Sequence, residues 1–267
     1  MPYLIICGAA LVVAALTLLS GFGLGTLLLP AFMIYFPANI AVASTAVVHL
    51  LNNIFKFFLV GKHADWNVVL RFALPAGMFS IFGALLLTKL SRVPFHYEYM
   101  LFGNNMDITP VKAIIAVLML IFGLIEMVSL DRNRYSTIFS QRYISAGGAI
   151  SGFFGGISGH QGALRAAFLI RTGLDKESFI GTSVICAIVV DITRITVYGF
   201  AFFSQLANLG EIEESNSLSV LVAATAAAFL GSFAGSRLMK KVTVRTVHLI
   251  VGTLLLVFAV LLGFGFI

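Results

Sequence analysis

The sequence predicts an all-α integral membrane protein, an inverted repeat of two five-segment halves with eight full spans and two short re-entrant or broken segments. Three observations predict this fold class. Apolar residues make up 60% of the 267 residues and charged residues only 10%, whereas a soluble domain carries about 25% charged residues. No charged residue precedes Lys56, although residues 1–55 would extend roughly 80 Å as one helix, more than twice a hydrocarbon core of about 30 Å. Polar residues also recur in both halves in the same order.

The apolar segments follow one another with short connections. The eight that are predicted as full spans lie at roughly 3–20, 40–60, 68–88, 111–130, 143–158, 177–204, 218–239 and 246–267. The other two, at about 23–37 and 161–172, would reach only about 18 to 23 Å as helices, and each follows a glycine-rich stretch. Unwound backbone survives at membrane depth only where protein or a cavity satisfies it, so these two segments are predicted to re-enter or break.

The charges of the connections predict the orientation in the membrane. Four connections carry basic residues, and the positive-inside rule places them in the cytoplasm. The loop with Glu211, Glu213 and Glu214 has no basic residue and is predicted to be external, together with both termini and the mixed connection at 89–110. The predicted divisions of the chain are a first repeat at 1–130, a cytoplasmic linker at 131–142 and a second, inverted repeat at 143–267.

Several other classes of protein are disfavoured by the same residues. The N-terminus has no basic region before its apolar stretch, so we expect no cleaved signal peptide. Cys7 and Cys186 lie in apolar runs without metal-ligand spacing, so we expect no disulfide, no metal and no cofactor. The basic residues that give the net charge of +6 cluster between apolar segments, which indicates membrane-flanking charge and no nucleic-acid partner.

The two halves share polar residues at a constant offset of 138 positions. The matched residues are Ser44-Thr45, Asn53, Lys56 and Gly61 in the first half and Thr182-Ser183, Asp191, Arg194 and Gly199 in the second. Each half is predicted to hold a helix, a short returning segment and three full spans. Because five is an odd number, the second half is inverted relative to the first, which is the plan of many secondary transporters.

Specific motifs accompany this repeat. They are the glycine-rich stretch at 20–25, Pro30-Ala31-Phe32, Ser44-Thr45, the string GHQGALRAAFL at 159–169, Gly181-Thr182-Ser183 and Asp191-Ile192-Thr193-Arg194. Over nearly the whole chain, these motifs resemble those of the TauE/SafE sulfite-exporter family of membrane permeases. The resemblance implies a bacterial-type plasma (inner) membrane permease for sulfite, sulfonates or similar small organosulfur anions, often moved outward. This chain differs in having GHQG where many relatives carry a plainer glycine cluster.

A polar face on the 40–60 segment predicts an interior site. His49, Asn52, Asn53 and Lys56 fall at i, i+3, i+4 and i+7 of a helix and share one face. An ionisable group at mid-membrane costs at least about 2.5–3.5 kcal/mol, so such a face must meet protein or water.

The second half carries three charged candidates. Asp191 and Arg194 are i, i+3 neighbours that either form a neutral buried pair or hold the guanidinium toward an anion, whose oxygens its planar donors match. Arg165 follows Gln161 by one helical turn and either binds an anion, or snorkels or ties helices together through backbone carbonyl groups. His160 and Gln161 open the short segment, where free N–H groups and the helix dipole favour an anion.

These observations favour a secondary transporter, or permease, that exports a small organosulfur or sulfur oxyanion such as sulfite, sulfoacetate or another sulfonate. The candidate substrate-binding residues are Arg194, Arg165, Lys56, Gln161, His160, Asn53, Thr182, Ser183, Ser44 and Thr45. Asp191 and His49 are candidates for coupling transport to a proton. An anion channel and a carrier of a small carboxylate are the alternatives. No HExxH, GxSxG or paired-carboxylate spacing is present, so no enzyme is expected. The expected partners are the anion and the lipid bilayer, and a homodimer is left open.

Overall fold

The apolar segments form helices in the predicted order. The structure, a computed structural model, describes residues 2–20, 24–101, 103–128, 141–206, 214–238 and 244–267. The α-helices within these ranges are α1 Pro2–Ser20, α2 Leu24–Met33, α3 Ala38–Val60, α4 Trp66–Leu90, α5 Pro110–Val128, α6 Ile144–Ser158, α7 Gly162–Leu169, α8 Lys176–Leu206, α9 Glu214–Leu238 and α10 Val244–Gly263. Short 3-10 turns lie at Gly61–His63, Gln141–Tyr143 and Ile170–Thr172.

The helix lengths agree in part with the predicted spans. By length and composition, α3, α4, α5, α8 and α10 can each cross a membrane. The short segments are α2 and α7, whose ten and eight residues extend about 15 and 12 Å. In the described residues, α1, α6 and α9 contribute only the shorter apolar stretches Tyr3–Leu16, Ile144–Ser158 and Ser219–Gly235, so the number of eight full spans stays a prediction.

Large apolar side chains cover the outer surface. Along α4, Leu70, Leu74, Met78 and Phe82 are exposed at steps of four residues and so form one stripe. Soluble monomers rarely expose contiguous apolar patches of more than a few hundred Å². This surface fits a hydrocarbon environment, in which the backbone groups must be satisfied within helices.

One connection contains a β-hairpin that the all-α prediction did not include. Strands β1 (Tyr97–Leu101) and β2 (Asn104–Ile108) pair antiparallel within the connection between α4 and α5. The Tyr99 hydroxyl donates to the carbonyl of Phe264 at 2.7 Å. The hairpin therefore lies at the same end of the molecule as the end of α10, as the predicted orientation requires.

The buried apolar core has two parts. The larger lies mainly among α1, α2, α3, α5, α9 and α10, and the smaller among α4, α6, α7 and α8. Helix α8 links them, because its Val190 belongs to the smaller part and its Tyr198 to the larger. Asp191 and Arg194, which lie on α8 between these two positions, are fully buried.

Helix packing is reciprocal between the two predicted halves. The most extensive contacts join α4 with α6 and α1 with α9, which are fourth and first helices of opposite halves. The third helices, α3 and α8, also pack together, as do the fifth helices, α5 and α10. A two-fold relation between the halves would produce this pattern.

Glycines bring the reciprocal pairs into backbone contact. Gly148, Gly152 and Gly156 recur every four residues along α6, where a Cβ at any of them would overlap a carbonyl oxygen of α4. Gly231 and Gly235 of α9 face α1 carbonyl oxygens in the same way. Small residues at such spacing allow the close helix packing that is typical of membrane proteins.

Helix α7 turns back along α6. Gly159 ends α6 with φ +80°, a left-handed conformation that favours glycine. Farther along, the Phe168 ring lies against Gly147, near the start of α6, and the Ser151 hydroxyl donates to the Gln161 carbonyl at 2.9 Å. Of the two predicted forms, re-entrant or broken, α7 therefore has the returning one.

The returning helix ends beside another basic connection. His63, in the connection from α3 to α4, lies 3.4 Å from Glu177 near the start of α8. The Asp65 backbone N–H donates to the Thr182 hydroxyl at 2.9 Å. The connections that carry Lys62 and Lys176 therefore share one end of the molecule, in agreement with the predicted cytoplasmic side.

Candidate functional site

The polar face of α3 meets a carboxylate of α8. His49 Nδ1 lies 2.6 Å from Asp191 Oδ2, and Asn53 Nδ2 donates to the same oxygen at 3.5 Å. The Asn53 amide is also 3.2 Å from His49 Nδ1. Asn52, which was predicted to share this face, instead accepts a hydrogen bond from the Ser232 hydroxyl of α9 at 2.7 Å.

Asp191 connects three helices. Within α8, Arg194 Nε and Nη2 lie 3.0 and 2.8 Å from Asp191 Oδ1. From the start of α7, Gln161 Nε2 donates to the same oxygen at 3.5 Å. We refer to His49, Asn53, Gln161, Asp191 and Arg194 as the paired cluster. The predicted alternative of a buried Asp191–Arg194 ion pair is present in the structure.

The break between α6 and α7 fits around Arg194. Arg194 Nη1 donates to the Gly155 carbonyl at 3.3 Å, and a Cβ at Gly159 would lie only 2.7 Å from the same nitrogen. The start of α2 approaches from the other half, since a Cβ at Gly25 would be 3.4 Å from His49 Cδ2 and 3.6 Å from the Gly159 carbonyl oxygen. Both short helices therefore begin at the paired cluster.

A second group of polar side chains lies on the same helices. Arg165 Nε donates to the Ser183 hydroxyl at 2.8 Å, which joins α7 to α8. Lys56 of α3 is buried as well. Within the described residues no carboxylate forms a salt bridge with Lys56. We refer to Lys56, Arg165 and Ser183 as the cationic cluster.

The two clusters together carry an excess of formal positive charge. Beside His49, they contain three lysine or arginine side chains, Lys56, Arg165 and Arg194, and one carboxylate, Asp191. The other buried carboxylate in the described part of the chain is Glu126, which lies 2.5 Å from His248 between α5 and α10. Lys56, Arg165 and Arg194 are all buried, and the most exposed member of either cluster, His49, is only 6% accessible.

The remaining predicted candidates lie around these clusters. His160 Nδ1 is 2.8 Å from the Ser158 hydroxyl, and its ring stacks on Phe122 with centroids 5.8 Å apart. Thr45 is buried one turn before His49, whereas Ser44 is half-buried. The Thr182 hydroxyl accepts the hydrogen bond from Asp65, so it anchors α8 to the connection after α3.

Some residues that shape the site were not predicted. Gly25 and Gly155 provide room for His49 and Gln161, and the Tyr198 hydroxyl donates to the carbonyl of Gly156. The glycine-rich stretch around Gly155 was a visible signal of close backbone approach. The side chains that approach it come from other helices, and nothing in the local pattern indicates which ones.

Comparison with known proteins identifies the family. The family model described as sulfite exporter TauE/SafE matches residues 6–262. The chain belongs to this family. The resemblance that the motifs predicted is thereby confirmed. No curated protein and no solved structure gives a significant match.

Membership of the TauE/SafE family establishes the general function. This TauE/SafE chain is a multi-pass membrane protein of a family that transports sulfur compounds. A small anion as substrate and a lipid bilayer as surroundings follow from the same membership. The excess positive charge of the clusters agrees with an anionic substrate.

Proposed function

We propose that this protein is a secondary transporter that exports a small organosulfur or sulfur oxyanion, such as sulfite, sulfoacetate or another sulfonate, across a bacterial-type inner membrane. The observation that carries the proposal is the charge of the buried site, with three basic side chains and one carboxylate. An uncompensated charge at membrane depth costs at least about 2.5–3.5 kcal/mol, and a bound anion would offset that cost.

Lys56 and Arg165 are the proposed anion ligands. Asp191 is already within 3.0 Å of two Arg194 nitrogens, so this pair is nearly neutral, whereas Lys56 forms no salt bridge with a carboxylate of the described residues. The Arg165 guanidinium is planar and can donate to two oxygens of a sulfite or sulfonate at once. Its bond to the Ser183 hydroxyl orients the guanidinium on α7.

The burial of both clusters supports a carrier. A channel would expose its lining to water along a continuous pore. Here even His49 and Lys56 are almost inaccessible, and Arg165 and Arg194 are fully buried. An anion in this site would be enclosed from both sides, which is the occluded state that alternating access requires.

The position of the cationic cluster supports export. Lys56 lies seven residues beyond His49 on α3, and Ser183 lies eight residues before Asp191 on α8, so the two clusters are separated by about 10–12 Å along the helices. Arg165 is also displaced toward the end of the molecule that carries the basic connections. An anion from the cytoplasm would meet the cationic cluster first, and an inside-negative potential drives it outward by about 2.3 kcal/mol per charge per 100 mV.

The inverted repeat is part of the same proposal. The reciprocal packing of α4 with α6 and of α1 with α9 supports two related halves at 1–130 and 143–267. Residues 129–140, most of the proposed linker at 131–142, lie outside the described part of the chain. Exchange of the two halves between their conformations would then open the site to one side or the other.

Flux in proteoliposomes tests this function. We expect saturable, trans-stimulated movement of labelled sulfite or sulfonate, and we expect Arg165→Gln to lower it by roughly 10- to 150-fold because a charge-assisted hydrogen bond is lost. The matched control is Arg71→Gln, which removes an exposed arginine from α4 and should transport like the parent.

The outcomes separate the alternatives. Parent-like flux in both Arg165→Gln and Lys56→Gln, with normal membrane insertion, would refute the proposed anion site. Unitary currents in place of trans-stimulated flux would indicate a channel. The two substitutions lie on different helices, so a folding defect in one leaves the other as a test.

A further inference from the structure

The carboxamide of Gln161 has an acceptor that no group in the described part of the chain satisfies. Gln161 is 1% exposed, and its Nε2 donates to Asp191 Oδ1 at 3.5 Å. Its Oε1 is buried and has no hydrogen-bond partner among the described residues. A buried acceptor without a donor destabilises a protein, so this atom calls for an explanation.

The orientation of the amide follows from its neighbour. The oxygen and nitrogen of a glutamine amide are assigned from the surrounding hydrogen bonds. The opposite orientation would place the Gln161 carbonyl oxygen against the Asp191 carboxylate, and two acceptors would then repel each other. The N–H₂ group therefore faces Asp191, and Oε1 remains the atom that lacks a donor.

The Gln161 acceptor lies on the same short helix as Arg165, one of the two proposed anion ligands. Gln161 and Arg165 are one turn apart at the start of α7, and the Arg165 N–H donates to the Gln161 carbonyl at 2.9 Å. The two side chains therefore share one face of the helix. Gly155 of α6 leaves the space that the amide occupies, because a Cβ there would lie 2.9 Å from Gln161 Cβ.

Two neighbouring polar atoms share this property. His160 Nε2 and Thr45 Oγ1 are buried without a hydrogen-bond partner among the described residues. His160 precedes Gln161 in the break between α6 and α7, and Thr45 lies one turn from His49 on α3. The paired cluster is thus bordered by polar atoms that a ligand with its own hydrogen-bonding group could satisfy.

We propose that the substrate is a small oxyanion that also carries a hydrogen-bond donor, an O–H or an N–H. The oxyanion would bind Lys56 and Arg165, and the donor would bind Gln161 Oε1. This inference rests on the proposed transport of anions. It adds that an anion without a donor is discriminated against, because its binding leaves the Gln161 acceptor unsatisfied.

Two pairs of equally charged anions test the inference in proteoliposomes. The first is 2-hydroxyethanesulfonate against ethanesulfonate, with the donor on the organic tail. The second is hydrogen sulfite against methanesulfonate, at mildly acidic pH, with the donor on the anionic head. For each anion we would measure the concentration that halves the flux of labelled sulfite. In at least one pair, we expect the donor-bearing anion to halve the flux at a roughly 5- to 150-fold lower concentration than its partner. The pair that shows this difference identifies whether the donor lies on the tail or on the head of the anion.

A matched pair of variants assigns the discrimination to Gln161. Gln161→Met keeps the length of the side chain and removes the acceptor. The ratio of the two concentrations that halve the flux, within the pair that differs in the parent, should therefore fall close to one. Asn52→Leu removes another buried amide, whose oxygen accepts from Ser232 of α9, and should keep the parent's ratio.

The failures can be told apart. In the parent protein, the two members of each pair could halve the flux at equal concentrations. This result would overturn the inference, while the transport function would stand. The inference is also overturned if Gln161→Met keeps the parent's ratio of half-flux concentrations, because the discrimination then arises from another residue. Absence of flux of the labelled anion in the parent protein overturns the proposed function and this inference with it.

Discussion

The charge balance of the buried site depends on Asp191, the carboxylate at its centre. Asp191→Asn keeps the shape of the side chain and removes its negative charge. In the parent, Arg194 Nη2 lies 2.8 Å and His49 Nδ1 2.6 Å from its two oxygens. In the variant, three buried basic groups, Lys56 among them, would remain without a carboxylate in either cluster.

The expected loss of stability follows from these distances. Two unit charges 2.8 Å apart attract by about 6 kcal/mol at an effective dielectric constant of about 20. Part of this attraction compensates the desolvation of Arg194, which remains buried in the variant, so we expect Asp191→Asn to cost about 3–5 kcal/mol. Removing the partner charge as well, with Arg194→Gln, should restore a large part of the lost unfolding free energy.

A double-mutant cycle measures this effect. Unfolding free energies of the purified parent, both single variants and the double variant should give a coupling energy of about 2–3 kcal/mol. Added substrate anion should stabilise Asp191→Asn more than the parent, because the variant carries one more uncompensated positive charge. Parent-like stability of Asp191→Asn, or a double variant less stable than this single variant, would refute the charge-balance argument.

Two further predictions concern glycines. Gly159→Ala should lower flux more than Gly173→Ala. Both residues have positive φ, which costs alanine about 1–2 kcal/mol. Only the Cβ at 159 would also crowd Arg194, at 2.7 Å. Equal flux losses in the two variants would contradict the role of that contact. Gly152→Leu should prevent folding because its side chain would overlap an α4 carbonyl oxygen, whereas Gly8→Leu projects into open space. Size-exclusion chromatography checks this, and a monodisperse Gly152→Leu at parental yield would count against the helix contact.

The order and the approximate limits of the helices could be predicted from the sequence. The short segments predicted at 23–37 and 161–172 correspond to helices at Leu24–Met33 and Gly162–Leu169. The reason is physical, because an apolar chain in a membrane must satisfy its backbone groups within helices and breaks where glycines permit it. The break at Gly159, with φ +80°, is the clearest case.

The hairpin between α4 and α5 was not predicted, although a signal was present. Residues Tyr97 to Leu101 are rich in strand-forming side chains, and Gly103, with φ +78°, follows them in the turn. The mixed charges of this segment indicate a connection, and its strand signal is short beside the apolar spans that surround it.

Contacts between distant positions were the least predictable part of the structure. Glu126 and His248 are 122 positions apart, and no spacing along the chain indicates that they pair. Asn52 and Asn53 are adjacent and were placed on one face, yet Asn52 contacts α9 and Asn53 contacts α8. Adjacent helical residues point about 100° apart, so the packing of neighbouring helices decides which partner each one finds.

The geometry of Arg194 bears on which basic residues hold the anion. Its Nε and Nη2 face Asp191 and its Nη1 donates to Gly155, so protein groups engage all three guanidinium nitrogens. Lys56 and Arg165 then supply the excess charge, and they come from opposite halves of the predicted repeat. An anion held by both would bridge α3 and α7, so a relative movement of the halves would alter its binding. Binding and conformational change would thus be coupled through the anion itself, as alternating access requires.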